Sequence, residues 1–306
     1  MSPARERPLH RQAATNPAES VVAAVVDWFG ASARDLPWRR PGTTPWAVLV
    51  SEVMLQQTPV SRVLPVYADW LARWPTPAAL AAGSAGDAVR MWGKLGYPRR
   101  ALRLHACAVV VTERHAGRLP DDLDELLALP GVGDYTARAV LAFAYRKRAP
   151  VVDTNVRRVL ARVVSGAGRP GPPSISRDLR QMGELLPDED EQAARFCAGI
   201  MELGALVCTA ASPGCGACPI SGLCAWRLAG SPAYEGPTAR PQRFAGTDRQ
   251  VRGLLMDVLR AADGPVPAGA LDISWPDATQ LQRARDSLVA DGLIDPLPDG
   301  RYALPS

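Results

Sequence analysis

The sequence predicts an all-α fold, and three observations predict it. Helix starts of one kind recur: Asn16-Pro17, Thr58-Pro59 and Thr76-Pro77 each pair a capping side chain with a proline whose fixed φ suits the first turn. Glycines 83, 96 and 117 stand where helices should stop. Before about residue 290 no segment alternates apolar and polar residues as a half-buried strand does. The body is therefore expected to be helices of ordinary length joined by short turns.

Composition bounds the rest. At 306 residues the chain can bury two or three cores. No apolar run reaches membrane-spanning length and the N-terminus lacks the apolar stretch of a secretion signal, so a cytoplasmic protein with no membrane partner is expected. The net charge of +4 is carried almost wholly by arginine, Lys94 and Lys147 being the lysines. A mild basic excess permits a polyanionic partner without requiring one. Six cysteines in a reducing compartment point away from disulfides and towards a metal or cluster.

Residues 1–15 are polar and without periodicity, and are expected to form a disordered leader. A first helix starts at Asn16-Pro17-Ala18-Glu19 and buries Val21, Val22, Val25, Val26 and Phe29, with Gly30 as its stop. The turn Leu36–Arg39 leads into a helix from near Pro45 that carries Ser51–Thr58, SEVMLQQT. Glu52 lies among Val48, Leu49 and Leu55, on a partly apolar face. Desolvation drives a carboxyl towards its protonated form, and a general acid must hold its proton near neutrality. An isolated Glu on an amphipathic helix is more often a plain surface residue. Next, Trp92–Tyr97 (WGKLGY) ends a helix on glycine with an aromatic beyond it, placed to insert a ring between bases or simply to pack. Arg99 and Arg100 follow as candidate phosphate contacts.

Leu129–Gly133, LPGVG, separates two helical runs, DDLDELLAL and YTARAVLAFAY. Gly131 and Gly133 allow a tight turn and a close approach, and N–H groups leading into a helix attract phosphate. Such a helix–hairpin–helix can hold one DNA phosphate without reading a base. Structural hairpins between helices need glycine too, so the turn alone is weak evidence. Asp153 follows Pro150-Val151-Val152, 20 residues beyond Gly133, and opens DTNVRRVL, where its plain role is an N-cap.

The hairpin, the Pro-containing loop and the later Asp together resemble the helix–hairpin–helix DNA glycosylase superfamily. SEVMLQQT is similar, position for position, to the motif of the MutY-type adenine DNA glycosylases. The resemblance covers roughly residues 18–228 and implies a two-lobed helix–hairpin–helix glycosylase: residues 16–37 with 152–229 as a cluster-bearing lobe, and 38–151 as a helical barrel. It implies that Glu52 protonates adenine, and that Asp153 supports the oxocarbenium-like sugar and directs the water, with Asn155 as its orienting partner. Leu55, Gln56 and Gln57 would line the pocket or wedge into the stack, Tyr97 intercalate, and Gly131 and Gly133 hold a phosphate. Arg39 joins these expected DNA contacts. Tyr135 stands where bifunctional relatives such as endonuclease III carry the lysine that attacks the sugar and nicks the strand, so a monofunctional enzyme is implied. Two positions depart from the family: Pro98 replaces its second aromatic, and Thr154 replaces the glycine of most adenine-specific members. Glu202, in IMELGA, resembles a residue facing the flipped base, though a place on the helix surface suits it as well.

Cys208-x6-Cys215-x2-Cys218-x5-Cys224 sets four thiols within 17 residues. Four-cysteine zinc sites typically use two C-x-x-C knuckles, and this stretch has one. The spacing is similar to the 4Fe–4S loop of the endonuclease III and MutY branch, which implies a 4Fe–4S cluster as cofactor. Cys107 and Cys197 fall within helical runs and read as small buried hydrophobes.

Residues 230–246 are rich in Pro, Gly and Arg and read as a linker. Beyond it, Val251, Leu254, Leu255, Val258 and Leu259 make one amphipathic helix, and Leu281, Ala284 and Leu288 a second. Leu293-Ile294 and Arg301–Leu304 flank a Pro298-Asp299-Gly300 turn, so 247–306 is expected to be a small winged-helix-like module. MutY-type enzymes usually end in a larger, strand-rich Nudix-like domain that helps recognise 8-oxoguanine; this tail departs from that pattern. It is expected to add non-specific affinity through a few phosphates, leaving opposite-base preference to the helical body. The resemblance as a whole implies a monomeric adenine DNA glycosylase at the bacterial nucleoid, acting on double-stranded DNA where A faces 8-oxoguanine or guanine. A thymine-mismatch or oxidised-pyrimidine glycosylase of the same superfamily is one alternative, and the complete octet speaks against it. A non-catalytic iron–sulfur DNA binder is the other; the presence of both Glu52 and Asp153 speaks against that.

Overall fold

The computed structural model describes residues 16–234, 236 and 244–306. The leader expected over 1–15, and residues 235 and 237–243 of the expected linker, lie outside the described residues. In chain order the helices are α1 (Pro17–Ser32), α2 (Pro45–Leu55), α3 (Val60–Arg73), α4 (Pro77–Ala81), α5 (Ala85–Trp92), α6 (Arg99–Arg114) and α7 (Leu123–Leu127). They continue with α8 (Asp134–Phe143), α9 (Thr154–Val163), α10 (Ile175–Leu185), α11 (Asp190–Leu206), α12 (Ala225–Leu228), α13 (Asp248–Ala261) and α14 (Ala278–Ala290). Strands among the described residues are three short pieces, β1 (Val266–Pro267), β2 (Asp295–Pro296) and β3 (Arg301–Ala303), so the fold is all-α as the capping pattern predicts. No helix among the described residues is long and apolar enough to cross a membrane.

The chain divides into two compact units. One contains the described residues up to Arg34 together with Lys147–Tyr234. In it α1 packs on α11, and α9 packs on α11 and α12. Asn16 Oδ1 caps α1 by accepting Ala18 N–H at 3.1 Å. The helix buries Val21, Val22 and Val25 but runs on to Ser32, past the expected stop at Gly30, because helical φ costs a glycine only about 1 kcal/mol relative to alanine. Glu202 of α11 is fully buried and takes a bidentate pair from Arg34, both bonds at 2.7 Å, plus the Arg34 N–H at 3.1 Å. Of the two places the sequence left open for it, burial removes the helix surface: Glu202 fastens the residue beyond α1 to α11.

The second unit comprises Asp35–Arg146 and the described residues from 236 onwards. Its centre is α2, in which every residue from Trp46 to Met54 is buried, and which packs against α3, α6 and α8. A helix apolar nearly all round has to be enclosed by others. Trp70, Trp74 and Trp92 meet edge to face beside it at 4.8 and 5.7 Å. The C-terminal module belongs to this unit. Its sheet is antiparallel in the order β1-β3-β2, with α13 packed on α14. The sequence does not announce β1: Val266 stands between prolines in GPVPAG, which reads as a turn, yet it is buried and pairs with Tyr302. The apolar face of α13 is Val251, Leu255, Met256 and Leu259; Leu254, expected on it, is exposed. The module is fastened to α5: Arg90 donates to Arg260 O at 2.5 Å and Ala262 O at 2.6 Å, Arg260 donates to Val89 O at 3.2 Å, and Gly86 N–H donates to Pro305 O at 2.6 Å.

Candidate functional site

Packing of α2 on α8 creates the first constellation. Glu52, in the last turn of α2, is 5% exposed. Tyr135, in the first turn of α8, donates its hydroxyl to Glu52 Oε2 at 2.9 Å. Gln56, the residue that caps the C-terminus of α2, donates to Thr136 Oγ1 at 3.2 Å. Leu55 is half-buried, while Gln57 is exposed and holds a left-handed φ of +55° that a non-glycine residue adopts only under constraint. Four of the residues singled out in the sequence, Glu52, Gln56, Gln57 and Tyr135, are thereby gathered where α2 ends against the start of α8. Arg39 lies elsewhere in the same unit, half-buried on the single helical turn Pro37–Arg39.

The hairpin in front of α8 uses its two glycines differently. Gly131 has φ +77°, and a Cβ there would sit 2.7 Å from Arg103 Cβ, so both conformation and space demand glycine. Gly133 has an extended φ of −107° that any residue adopts; it is exposed, and a Cβ would meet nothing within 4 Å. It caps α8 without a side-chain hydrogen bond, which leaves the first-turn N–H groups to an acceptor from outside.

A buried arginine holds the turns that carry Gln57 and Tyr97. Arg100 is 7% exposed, so its expected phosphate contact is corrected: it cannot reach a phosphate outside. Its Nη1 donates to Val53 O, Met54 O and Gln56 O at 2.8, 3.0 and 2.6 Å, and its Nη2 to Thr58 Oγ1 and Gly96 O, both at 2.9 Å. Burial pulls its pKa down to about 10. Thr58 therefore does not cap α3 as the Thr-Pro pattern suggests; Pro59 precedes the helix, and the Thr58 hydroxyl serves Arg100 and Leu95 O. Beyond Gly96, Tyr97 stands 47% exposed at φ +50°. Arg99 pairs with Asp291 of the C-terminal module at 3.2 Å.

In the other unit Asp153 both caps α9 and anchors a chain of polar contacts. Its Oδ1 accepts Val156 N–H at 2.7 Å and its Oδ2 accepts Asn155 Nδ2 at 2.8 Å. Burial raises its pKa above the ordinary aspartate value, against the pull of these donors and of the Arg158 charge. Asn155 Oδ1 in turn accepts Arg158 Nη2 at 2.8 Å, and Arg158 donates to Gly204 O at 2.6 Å and Cys208 O at 2.7 Å. At Gly204 a Cβ would sit 2.8 Å from Asn155 Cβ, so α11 approaches the start of α9 this closely only through glycine. Arg158 and the next arginine on this face, Arg162, escape a motif search; their one signal is i, i+4 spacing on a helix whose opposite face is apolar.

The four cysteines of the loop line one recess that opens to solvent. Arg162 donates to Cys208 Sγ at 3.1 Å and to Thr209 O at 2.8 Å, and its guanidinium stacks 5.1 Å from the Trp226 ring centre. Burial first, then the neighbouring thiols, push Cys218 and Cys224 above their ordinary values. Thiols whose ionised forms repel are a donor set that a cationic centre stabilises. Among the described residues no group of three or more His, Cys, Asp or Glu side chains is drawn together closely enough to hold a metal ion. Cys107 and Cys197 are buried elsewhere, each pushed up to about 12, and behave as small hydrophobes.

Comparison with known proteins follows the same lines. The model of the HhH-GPD superfamily of base excision DNA repair proteins matches residues 50–184. The chain is 55% identical over 292 residues to an adenine DNA glycosylase of Mycobacterium tuberculosis, covering 95% of each protein. It is 56% identical over 282 residues to an adenine DNA glycosylase of Mycolicibacterium smegmatis, covering 92% of this chain and 94% of the relative. Likeness at that coverage takes in the C-terminal module. Among solved structures, a thermostable thymine-DNA glycosylase superposes with a TM-score of 0.63 and 26% identity, over 70% of this chain and 97% of that one.

Proposed function

The chain belongs to the adenine DNA glycosylase family of the HhH-GPD superfamily, and from that premise we propose that it is a monofunctional adenine DNA glycosylase acting on adenine mispaired with 8-oxoguanine or guanine. Glu52 gives its proton to the adenine ring, so that the base leaves neutral as the N-glycosidic bond breaks. The sugar is left as an oxocarbenium-like cation, whose charge the Asp153 carboxylate opposes. Water then adds to the anomeric carbon and passes its proton to Asp153, a carboxylate made more basic by burial. Asn155 holds Asp153 in position through the 2.8 Å bond.

The observation that carries this reading is the 2.9 Å bond from Tyr135 to a buried Glu52. It supports a carboxyl fixed in orientation and withdrawn from water, as a general acid requires. It also sets a phenol, not an amine, beside that acid; a phenol forms no Schiff base with the sugar, so strand scission does not follow base release. Gln57 and Tyr97 probe the base stack, with Leu55 and Gln56 at the pocket, and the N–H groups after Gly133 take a phosphate. Arg39 adds a further DNA contact. Cys208, Cys215, Cys218 and Cys224 would hold a 4Fe–4S cluster, which ties their loop together by ligation. The test is Glu52→Gln: mismatch binding is retained, and single-turnover adenine release falls by at least about 10²-fold, the size typical of a positioned acid. Undiminished release would remove Glu52 from the mechanism.

The likeness to a thymine-DNA glycosylase keeps one other substrate in view. A panel of A:G, A:8-oxoguanine and T:G duplexes separates the two, since the free base released identifies the activity.

A further inference from the structure

The C-terminal module is electrostatically unlike a DNA clamp. Residues 247–306 contain six arginines against nine aspartates, with no lysine or glutamate, a net charge of −3. Five of those arginines are consumed internally: Arg252 pairs with Asp291, Arg260 with Asp257, Arg283 with Asp248, Arg285 with Asp272 and Arg301 with Asp299. The few phosphate contacts that the sequence led us to expect of this tail therefore have few unpaired cations to draw on.

The sixth arginine differs. Arg249, in the first turn of α13, is exposed and has no carboxylate within ion-pairing distance among the described residues. Its Nη1 donates to the Tyr97 hydroxyl at a long 3.4 Å, and its guanidinium lies 5.7 Å from the ring centre of Phe244, itself 56% exposed. The guanidinium thus stands between two exposed aromatic rings, one of them the left-handed Tyr97 that Arg100 supports from beneath. One long bond occupies one of its five N–H donors and leaves most of the planar fork to an outside acceptor. An unpaired arginine amid exposed aromatics is a surface that nucleic acid fits, the rings meeting bases or sugars and the guanidinium a phosphate.

We propose that Arg249 is the module's own contact with duplex DNA, taking one backbone phosphate beside the base step that Tyr97 enters. The inference rests on the reading that this chain binds duplex DNA, and it makes the module a positioning device at the wedge. The module's acidic remainder keeps the duplex off its other faces, so the single contact also limits where DNA can lie.

The experiment measures equilibrium binding of the full chain to a fluorescein-labelled A:G duplex by anisotropy, across salt concentrations and below the rate of turnover. One phosphate contact contributes a slope of about −0.9 to log K against log salt, a three- to fourfold effect on affinity between about 50 and 200 mM. Arg249→Gln is expected to make the slope shallower by about that amount, and Arg249→Lys to restore it. Arg301→Gln, which removes an arginine already neutralised by Asp299, should leave it unchanged. Thermal unfolding of Arg249→Gln should match the wild type. A slope equal to wild type in Arg249→Gln overturns the proposal. So does a weaker complex with an unchanged slope and a lowered melting temperature, which would make Arg249 a fastening between module and barrel. If the wild type binds duplex but releases no adenine, the functional reading fails while the slope comparison still decides the role of Arg249.

Discussion

Arg100→Met tests whether one buried guanidinium holds the turns that present Gln57 and Tyr97. In the folded chain, Val53 O, Met54 O and Gln56 O all take their donor from Arg100 Nη1. Two of these belong to the last turn of α2, where carbonyls have no partner within the helix. Leaving a buried acceptor unpaired costs about 1–3 kcal/mol, so three carbonyls set a gross penalty of roughly 3–9 kcal/mol. Part is returned, because burying the charge is itself unfavourable, as its lowered pKa records. A net loss of about 3 kcal/mol follows, or about 6–12 °C in melting temperature at 2–4 °C per kcal/mol. Buried ion pairs can sometimes be exchanged for apolar side chains at no cost, but both partners are then replaced. Backbone carbonyls cannot be. Arg100→Lys supplies three donors on one nitrogen and cannot span both turns, so it should recover only part of the loss. The assay is thermal unfolding with single-turnover base release on the soluble fraction. A melting temperature for Arg100→Met within about 2 °C of wild type would refute the reasoning.

Other predictions concern the chemistry. Tyr135→Phe removes the 2.9 Å bond to Glu52, so adenine release should slow by about tenfold with DNA affinity unchanged, and neither variant nor wild type should give a borohydride-trapped complex. In the proposed mechanism Asp153 acts ionised, and its folded-state pKa lies above the usual aspartate value, so the acid limb of the release rate should fall at a higher pH than an exposed aspartate would set. The stability effect has a fixed sign. Between the unfolded and folded pKa values the native state binds more protons, so the contribution of Asp153 to stability falls as pH rises through that window. Asp153→Asn, which can still cap α9, should therefore melt no lower than wild type at neutral pH, with its advantage vanishing in acid. The purified protein should contain iron and sulfide and be yellow-brown; stoichiometric zinc without iron in anaerobic preparations would contradict this. Cys218→Ser should lower the cluster content and loosen the loop while the α2–α8 packing persists.

Much of this was legible in the sequence because it depends on local chemistry. The Asn16 and Thr76 caps, the glycine at 131 and the capping role of Asp153 follow from residue type and spacing, and the structure uses each accordingly. The burial of Glu52 was half legible: its apolar neighbours at helical spacing were visible, but not that α2 is enclosed on all sides. What escaped depends on partners far apart in the chain. Arg100 looks like any charge after a turn until six acceptors from two other segments surround it. Glu202 looks like surface until Arg34, 168 residues away, reaches it. Strand β1 exists only because Tyr302 offers it a partner.

The central claim is that this chain removes adenine and leaves the strand intact. Its most direct test is a single-turnover assay on a labelled duplex with A opposite 8-oxoguanine or guanine, scoring free base and strand cleavage separately. The account predicts release of free adenine, an abasic strand that breaks only after alkaline treatment, and loss of the activity in Glu52→Gln. Strand nicking coupled to base release, or release of thymine from T:G with adenine left in place, would contradict it.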